Sequence, residues 1–177
     1  MRTKTVTVRE YDPQWVWDFE AIAGELRCIL AEHTLAIHHV GSTSVPGMAA
    51  KPIIDLDVVI ADYSVFPAVL EKLKSIGYFH EGDLGIPNRE AFCYDGKFHL
   101  RKHHLYVCPA DSPELRRHLI FRDFLRSHPE AAAEYSQIKR DAAVRYPDDI
   151  DSYIRHKTPC IEKLYAECGL SQRTPAL

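Results

Sequence analysis

Residues 41–60, GSTSVPGMAAKPIIDLDVVI, constrain this chain more than any other stretch. Successive side chains of a strand point to opposite faces. Ile54, Leu56, Val58 and Ile60 therefore form one apolar face with Leu56 turned into the core, and Ile53, Asp55, Asp57 and Val59 lie on the other. Two carboxylates on one face, roughly 6.5–7 Å apart, repel by about 2.4 kcal/mol at an effective dielectric near 20. A divalent cation between them reverses the sign, and hard oxygen ligands suit Mg2+ or Mn2+. In the loop just before, Gly41 lets the backbone approach a ligand closely. Ser42, Thr43 and Ser44 offer hydroxyl and amide donors to phosphate oxygens, and Lys51 adds a cation. The loop is not a Walker A motif, because Met48 follows Gly47 where a lysine belongs. It is not a nucleophile elbow either, because no glycine pair flanks its serines.

Around this stretch the pattern alternates between strands and helices. TVTVRE reads as a short edge strand, whose exposed edge offers a route to a homodimer. Asp12-Pro13 opens a helix that runs to about Glu32, with Trp15, Phe19, Ile22 and Leu26 at helical spacing. LAIHHV is a strand, residues 63–76 a helix, and EGDLGIPNRE a loop. AFCYDGKFHLRKHHLYV reads as a hairpin turning at Asp95-Gly96. Three helices follow from Asp111, and Pro159 is expected to kink or divide the last. The fold class is therefore α/β (α+β), a mixed sheet flanked by helices. The expected division is a core over residues 1–110, a helical part over 111–170 and a tail over 171–177.

Net charge bounds the partners. A formal charge of −3 gives no general attraction to DNA or to an anionic membrane, so long nucleic acid is the least favoured partner. The start lacks the apolar run of a signal peptide, and no stretch is long enough to span a bilayer, which points to the cytoplasm. Five widely spaced cysteines without a CxxC pair argue against a disulfide framework or a zinc ribbon. Residues of each of the pairs His38-His39 and His103-His104 alternate faces, so a zinc cluster built from them is not expected.

Gly-Ser, a spacer and Asp-x-Asp on an apolar strand resemble the nucleotidyltransferase superfamily built on the polymerase-beta-like core. More narrowly, HVGSTSVPGMAAKPIIDLDVVI, with YDPQW, FRDFLRSHPEAAAEYSQIK and SYIRHK, resembles the GrpB family, sometimes fused to dephospho-CoA kinase. The resemblance covers nearly the whole chain. It implies triphosphate binding at Gly41 and Ser42 and metal binding at Asp55 and Asp57. The superfamily's third carboxylate sits on a neighbouring strand. Here that strand, FHLRKHHLYV, has no Asp or Glu, and His104 shares a face with Tyr106. His104 is the candidate in its place, as metal ligand or general base.

The helical half carries Arg122, Arg126, Lys139, Tyr153 and Lys157. These form either a solvated face or a basic wall across the cleft from the aspartates, binding nucleotide or another phosphorylated small molecule. Two classes of function follow. One is a Mg2+-dependent protein that binds a nucleoside triphosphate and transfers a nucleotidyl group to an acceptor that the residues do not name. The other is a non-catalytic nucleotide- or metabolite-binding accessory module. A bland third reading makes the aspartates cap a strand end, against which the apolar run Val58–Ile60 speaks.

Overall fold

Helix α1 (Gln14–Leu30) opens as its sequence requires: Asp12 Oδ1 accepts from the Gln14 amide at 2.9 Å, and Pro13 precedes the first helical residue. The computed structural model describes residues 5–170, so the stretch read as a tail lies outside the described residues. After α1 come β1 (Ala36–Val40), β2 (Ile54–Ile60), α2 (Phe66–Ser75), β3 (Tyr78–Gly82), β4 (Glu90–Tyr94), β5 (His103–Pro109), α3 (Pro113–Ser127), α4 (Pro129–Arg145) and α5 (Ile150–Glu167). The strands form one mixed sheet in the order β1-β2-β5-β4-β3. Within it β2 and β5 run parallel, and the other neighbours are antiparallel.

The alternation in β2 separates two environments. Ile54, Leu56, Val58 and Ile60 pack with Trp15, Ile22, Leu26 and Leu30 of α1 and Val69 and Leu73 of α2. Each such fully buried side chain contributes about 1.5–3 kcal/mol. The opposite face carries Asp55, Asp57 and Val59, and Val59 joins Cys108 and Leu115 of α3 in a smaller cluster. A third cluster ties the loop after β1 to the helices, with Val45 and Met48 against Leu125, Tyr135 and Leu164. Polar contacts reinforce it: Arg126 donates twice to the Ser44 carbonyl, at 3.0 and 2.8 Å. Ser136 Oγ accepts from the Ala49 amide at 3.0 Å. The aspartate face thus looks onto the helices, across a loop that those helices hold.

Six expectations need correction. TVTVRE does not form a sheet strand. Val6 is buried beside Ala142 and Tyr153, its amide bonds the Pro147 carbonyl, and Arg9 makes an isolated bridge to Ala50. The segment therefore straps the helices to the loop before β2 through Val6 and Arg9. Residues 78–82 are an additional strand; YFHEG lacks alternation because it is an edge strand with most side chains exposed. Glu81 and Gly82, assigned to a loop, belong to β3, and Glu90 to β4. β4 and β5 do pair antiparallel, but their connection runs over residues 95–102 instead of turning tightly at Asp95-Gly96. Lys97 donates to Glu25 and Leu100 packs on the core, which draws this connection onto α1. Finally, α2 starts at Phe66, not residue 63, and Pro159 does not divide α5, which continues past it as one helix. The missing Pro159 N–H takes the helical partner from the carbonyl of Arg155, a residue exposed to solvent as Pro159 is, while Ile161 and Leu164 keep the second half packed.

Candidate functional site

The parallel register of β2 on β5 sets Asp55 beside His104 and Asp57 beside Tyr106. His104 Nδ1 donates to Asp55 Oδ1 at 2.8 Å. Desolvation alone would raise the Asp55 pKa. The His104 hydrogen bond and the charges of His104, His118 and Lys51 outweigh it and hold the carboxyl below its ordinary value. On the other side β1 places Val40 opposite Asp55, so Gly41 follows directly against that carboxylate. Gly41 has φ +68°, and a Cβ there would stand 3.0 Å from Asp55 Cβ and Cγ and closer still to Oδ2. Glycine is required twice over, by the backbone and by the carboxylate.

Asp57 is fully buried. Its Oδ2 accepts from His118 Nδ1 at 2.7 Å, while Oδ1 has no hydrogen-bond partner among the described residues. His118 Nε2 also lies 3.1 Å from Glu114 Oε1. An imidazole with both nitrogens on carboxylates must carry two protons. Desolvation opposes that charge, but the bonds to Asp57 and Glu114 prevail and push the pKa up to about 9. His118 was not among the residues singled out from sequence. Its only local sign is Glu114 one helical turn earlier, which does not point to an aspartate 61 positions away.

Two cavities meet at Ser42, Asp55 and Lys157. The smaller, about 90 Å3, is also lined by Lys51, Lys139 and Tyr153. Lys139 is 2% exposed and its Nζ has no hydrogen-bond partner among the described residues. It lies 4.5 Å from the Tyr135 ring centroid. Desolvation, then the charge of Lys157, hold its pKa well below that of an ordinary lysine. Lys51 and Lys157 stand 5.9 and 5.3 Å from the Tyr153 ring centroid. The larger cavity, about 310 Å3, opens between the Gly41–Asp55 junction and the helices, with Arg122, Phe121 and Tyr165 on the helical side.

The other residues singled out from sequence are placed less simply. Thr43 Oγ1 is 3.0 Å from His39 Nε2 and lines the small cavity. Ser44 lines neither cavity, and its hydroxyl donates to the Gly41 carbonyl at 2.6 Å, closing the turn. Arg122 reaches the larger cavity while donating to the His39 carbonyl at 3.2 Å and to Asp123 at 2.7 Å. Arg126 is spent on the Ser44 carbonyl. His39 stacks on Phe19 on the core side, as strand alternation demands of one of two adjacent histidines.

Among the described residues no group of three or more His, Cys, Asp or Glu side chains is arranged to hold a metal ion. Mg2+ is usually bound by one or two carboxylates, with phosphates and water completing its shell, and seldom by an all-protein cage. Asp55, which lines both cavities, is open to that use; Asp57 lies on the same strand face with Oδ1 unsatisfied but is fully buried and lines neither cavity. No helix among the described residues is long and apolar enough to cross a membrane.

A five-stranded mixed sheet with helices over its aspartate face places the chain in the class with a nucleotidyltransferase-like fold. It superimposes on the Cid1 poly(U) polymerase in a MgGTP-bound crystal structure with TM-score 0.52, at 12% identity over 73% of this chain and 42% of that one. The chain belongs to the GrpB protein family, whose model matches residues 5–167. The crystal structure of conserved protein GrpB from Enterococcus faecalis is similar to it at TM-score 0.81 and 37% identity, over 92% of this chain and 96% of that one. UPF0157 protein YqkA of Bacillus subtilis is 36% identical over 159 residues, which are 90% of this chain and 46% of that protein. The chain therefore spans less than half of that relative. A dephospho-CoA kinase of Mycolicibacterium paratuberculosis is 28% identical over 87% of this chain and 44% of its own length.

Proposed function

We propose that this protein binds a nucleoside triphosphate together with Mg2+ where the two cavities meet. The triphosphate lies against the Gly41–Ser42 turn and Lys51, Lys139 and Lys157, and Asp55, at the junction, holds the cation with Asp57 behind it on the same strand face. The observation that carries this reading is Lys139, a buried amine without a hydrogen-bond partner that lines a small cavity beside Ser42 and Asp55. A buried amine is not left without a hydrogen-bond partner without cost, and an anionic group in that cavity would offset it. When bound, the cation neutralises phosphate charge. Ser42 and Lys51 add hydrogen bonds and positive charge as charge develops on the phosphates. His104 holds the Asp55 carboxylate in place through Nδ1. The acceptor of a transferred nucleotidyl group would be a small molecule more readily than a long nucleic acid, and the compartment the cytoplasm.

A second reading, a non-catalytic nucleotide- or metabolite-binding module, also has support. One oxygen of each aspartate is already taken by a histidine. The β5 residues on this face, His104, Tyr106 and Cys108, include no carboxylate.

Thermal-shift titration with nucleotides, with and without Mg2+, on the wild-type chain and the Asp55→Asn and Asp57→Asn variants tests both readings. A ligand at a hundredfold its Kd stabilises by about 2.7 kcal/mol. Mg2+-dependent stabilisation that the variants lose supports the first reading. Stabilisation indifferent to Mg2+, without pyrophosphate release, supports the second. No shift with any nucleotide would sink both as nucleotide proteins.

A further inference from the structure

The larger cavity continues the lysine-lined one along the aspartate strand. Ser42, Asp55 and Lys157 line both. Lys51 lies just before β2 and Asp55 near its start, while Tyr106 stands beside Asp57, a step of roughly 6.5–7 Å further along the same face. Arg89, from the loop before β4, lies over that ring, its guanidinium 4.3 Å from the Tyr106 centroid. Lysine, Asp55 and Arg89 therefore follow one another along the strand, and Arg89 lines the larger cavity only.

Arg89 differs from the other arginines of this wall. Arg122 donates to Asp123 and to the His39 carbonyl, and Arg117 stacks on Tyr165 and is engaged beyond that. Arg89 is 8% exposed, and its Nε has no hydrogen-bond partner among the described residues. Stacking on Tyr106 holds its fork flat, which suits a planar ligand edge with two adjacent acceptors. Asp55 is the single carboxylate of the wall, and His104 already engages it. The Arg89 end thus offers donors and no carboxylate to receive an exocyclic amine. Guanine presents N7 and O6, both acceptors, on one edge, and hypoxanthine shares that edge. Adenine sets an N6 donor beside N7, cytosine presents an N4 donor, and uracil has O4 alone. The cavity volume, about 310 Å3, is at the small end of ligand pockets, the size of a nucleoside.

We propose that Arg89 selects the base of the bound nucleotide, favouring a purine with a carbonyl at C6, guanine or hypoxanthine, over adenine and the pyrimidines. The proposal rests on the nucleotide reading: the triphosphate lies among the lysines, the cation at Asp55, and the base reaches the Arg89 end of the same cavity.

Isothermal titration of the full chain with the Mg2+ complexes of GTP, ITP, ATP and UTP tests this, together with a GTP analogue in which CH replaces N7. GTP and ITP should bind about tenfold or more tightly than ATP and UTP, with the analogue between them. Arg89→Gln should weaken GTP by a similar factor and ATP far less, closing the gap. Arg89→Lys, which keeps the charge but not the flat fork, should fail to restore it. If Arg89→Gln does not fold, ITP and the analogue on the wild-type chain still decide. Equal affinity for all the nucleotides, or an analogue that binds as GTP does, would overturn the proposal and leave the nucleotide reading standing. An equal loss of GTP and ATP in Arg89→Gln would show that Arg89 holds phosphate, and would overturn it as well. Binding of none of them removes the nucleotide reading itself, and this proposal with it.

Discussion

Gly41 shows how much a single hydrogen atom can decide. At φ +68°, with the Asp55 carboxylate where a Cβ would go, Gly41→Ala incurs backbone strain and a clash with a half-buried carboxylate. A loss of about 1–3 kcal/mol in urea denaturation is expected, together with loss of any nucleotide-induced thermal shift. A second prediction at this scale concerns acid. Desolvation pushes His39 and His103 down to about 4. The bonds of His103 set its neutral tautomer: Nδ1 donates to the Arg101 carbonyl at 2.7 Å, so Nε2 accepts from the Tyr78 hydroxyl at 2.7 Å. Both groups take up protons more readily unfolded, so their contribution is intact above pH about 6.5 and is lost as pH falls towards 4. Each accounts for about 3 kcal/mol at most. Urea unfolding free energies measured at about pH 7.5 and 5 should therefore drop, and unchanged values would contradict the burial of both rings. The residue scale was also the most legible in sequence. Strand alternation alone puts Asp55 and Asp57 on one face and Leu56 on the other. It says nothing of His118, because a partner brought in by tertiary packing leaves no mark on the spacing around Asp57.

Among the elements, α4 supplies the prediction with opposite signs for stability and binding. Lys139→Met replaces a buried amine lacking a hydrogen-bond partner with an apolar chain of similar length. Unfolding should become harder by about 1 kcal/mol or more, while phosphate-dependent thermal shifts disappear. A variant that is less stable would mean that Lys139 serves the fold. Sequence read the helices well because capping and periodicity are local: Ser112 Oγ accepts from the Leu115 amide at 3.3 Å, and Asp149 Oδ1 from the Ser152 amide at 3.0 Å. The edge strand β3 was missed because an edge needs no apolar alternation. Asp95-Gly96 was over-read as a tight turn because the ion pair of Lys97 with Glu25, a contact across 72 positions, decides the course of that connection.

At the scale of the whole molecule, the strap near the start of the chain and the helices near its end hold the cleft together. Val6 is 4% exposed, and its amide bonds the Pro147 carbonyl at 2.7 Å. Val6→Asp buries a charge beside Ala142 and Tyr153, and a loss of about 2 kcal/mol or more in denaturant titration is expected. Because Tyr153 also lines the small cavity, phosphate affinity should fall with it, whereas a strap that is mere decoration would leave both unchanged. The overall class was readable from strands alternating with helices; the strand order was not, since nothing local says which edge β5 will choose.

That choice has a kinetic consequence. β5 inserts between β2 and β4, so β2 keeps an open edge until α2, β3 and β4 have been made and the chain returns from Ile60 to His103. Pairings between strands so far apart in the chain close late and slowly, because loop entropy is lost before the contacts form. The Asp55–His104 bond forms across that last seam. The two halves of the site thus depend on different distant events: Asp55 gains its partner only when that seam closes, and Asp57 only when α3 brings His118 to the sheet.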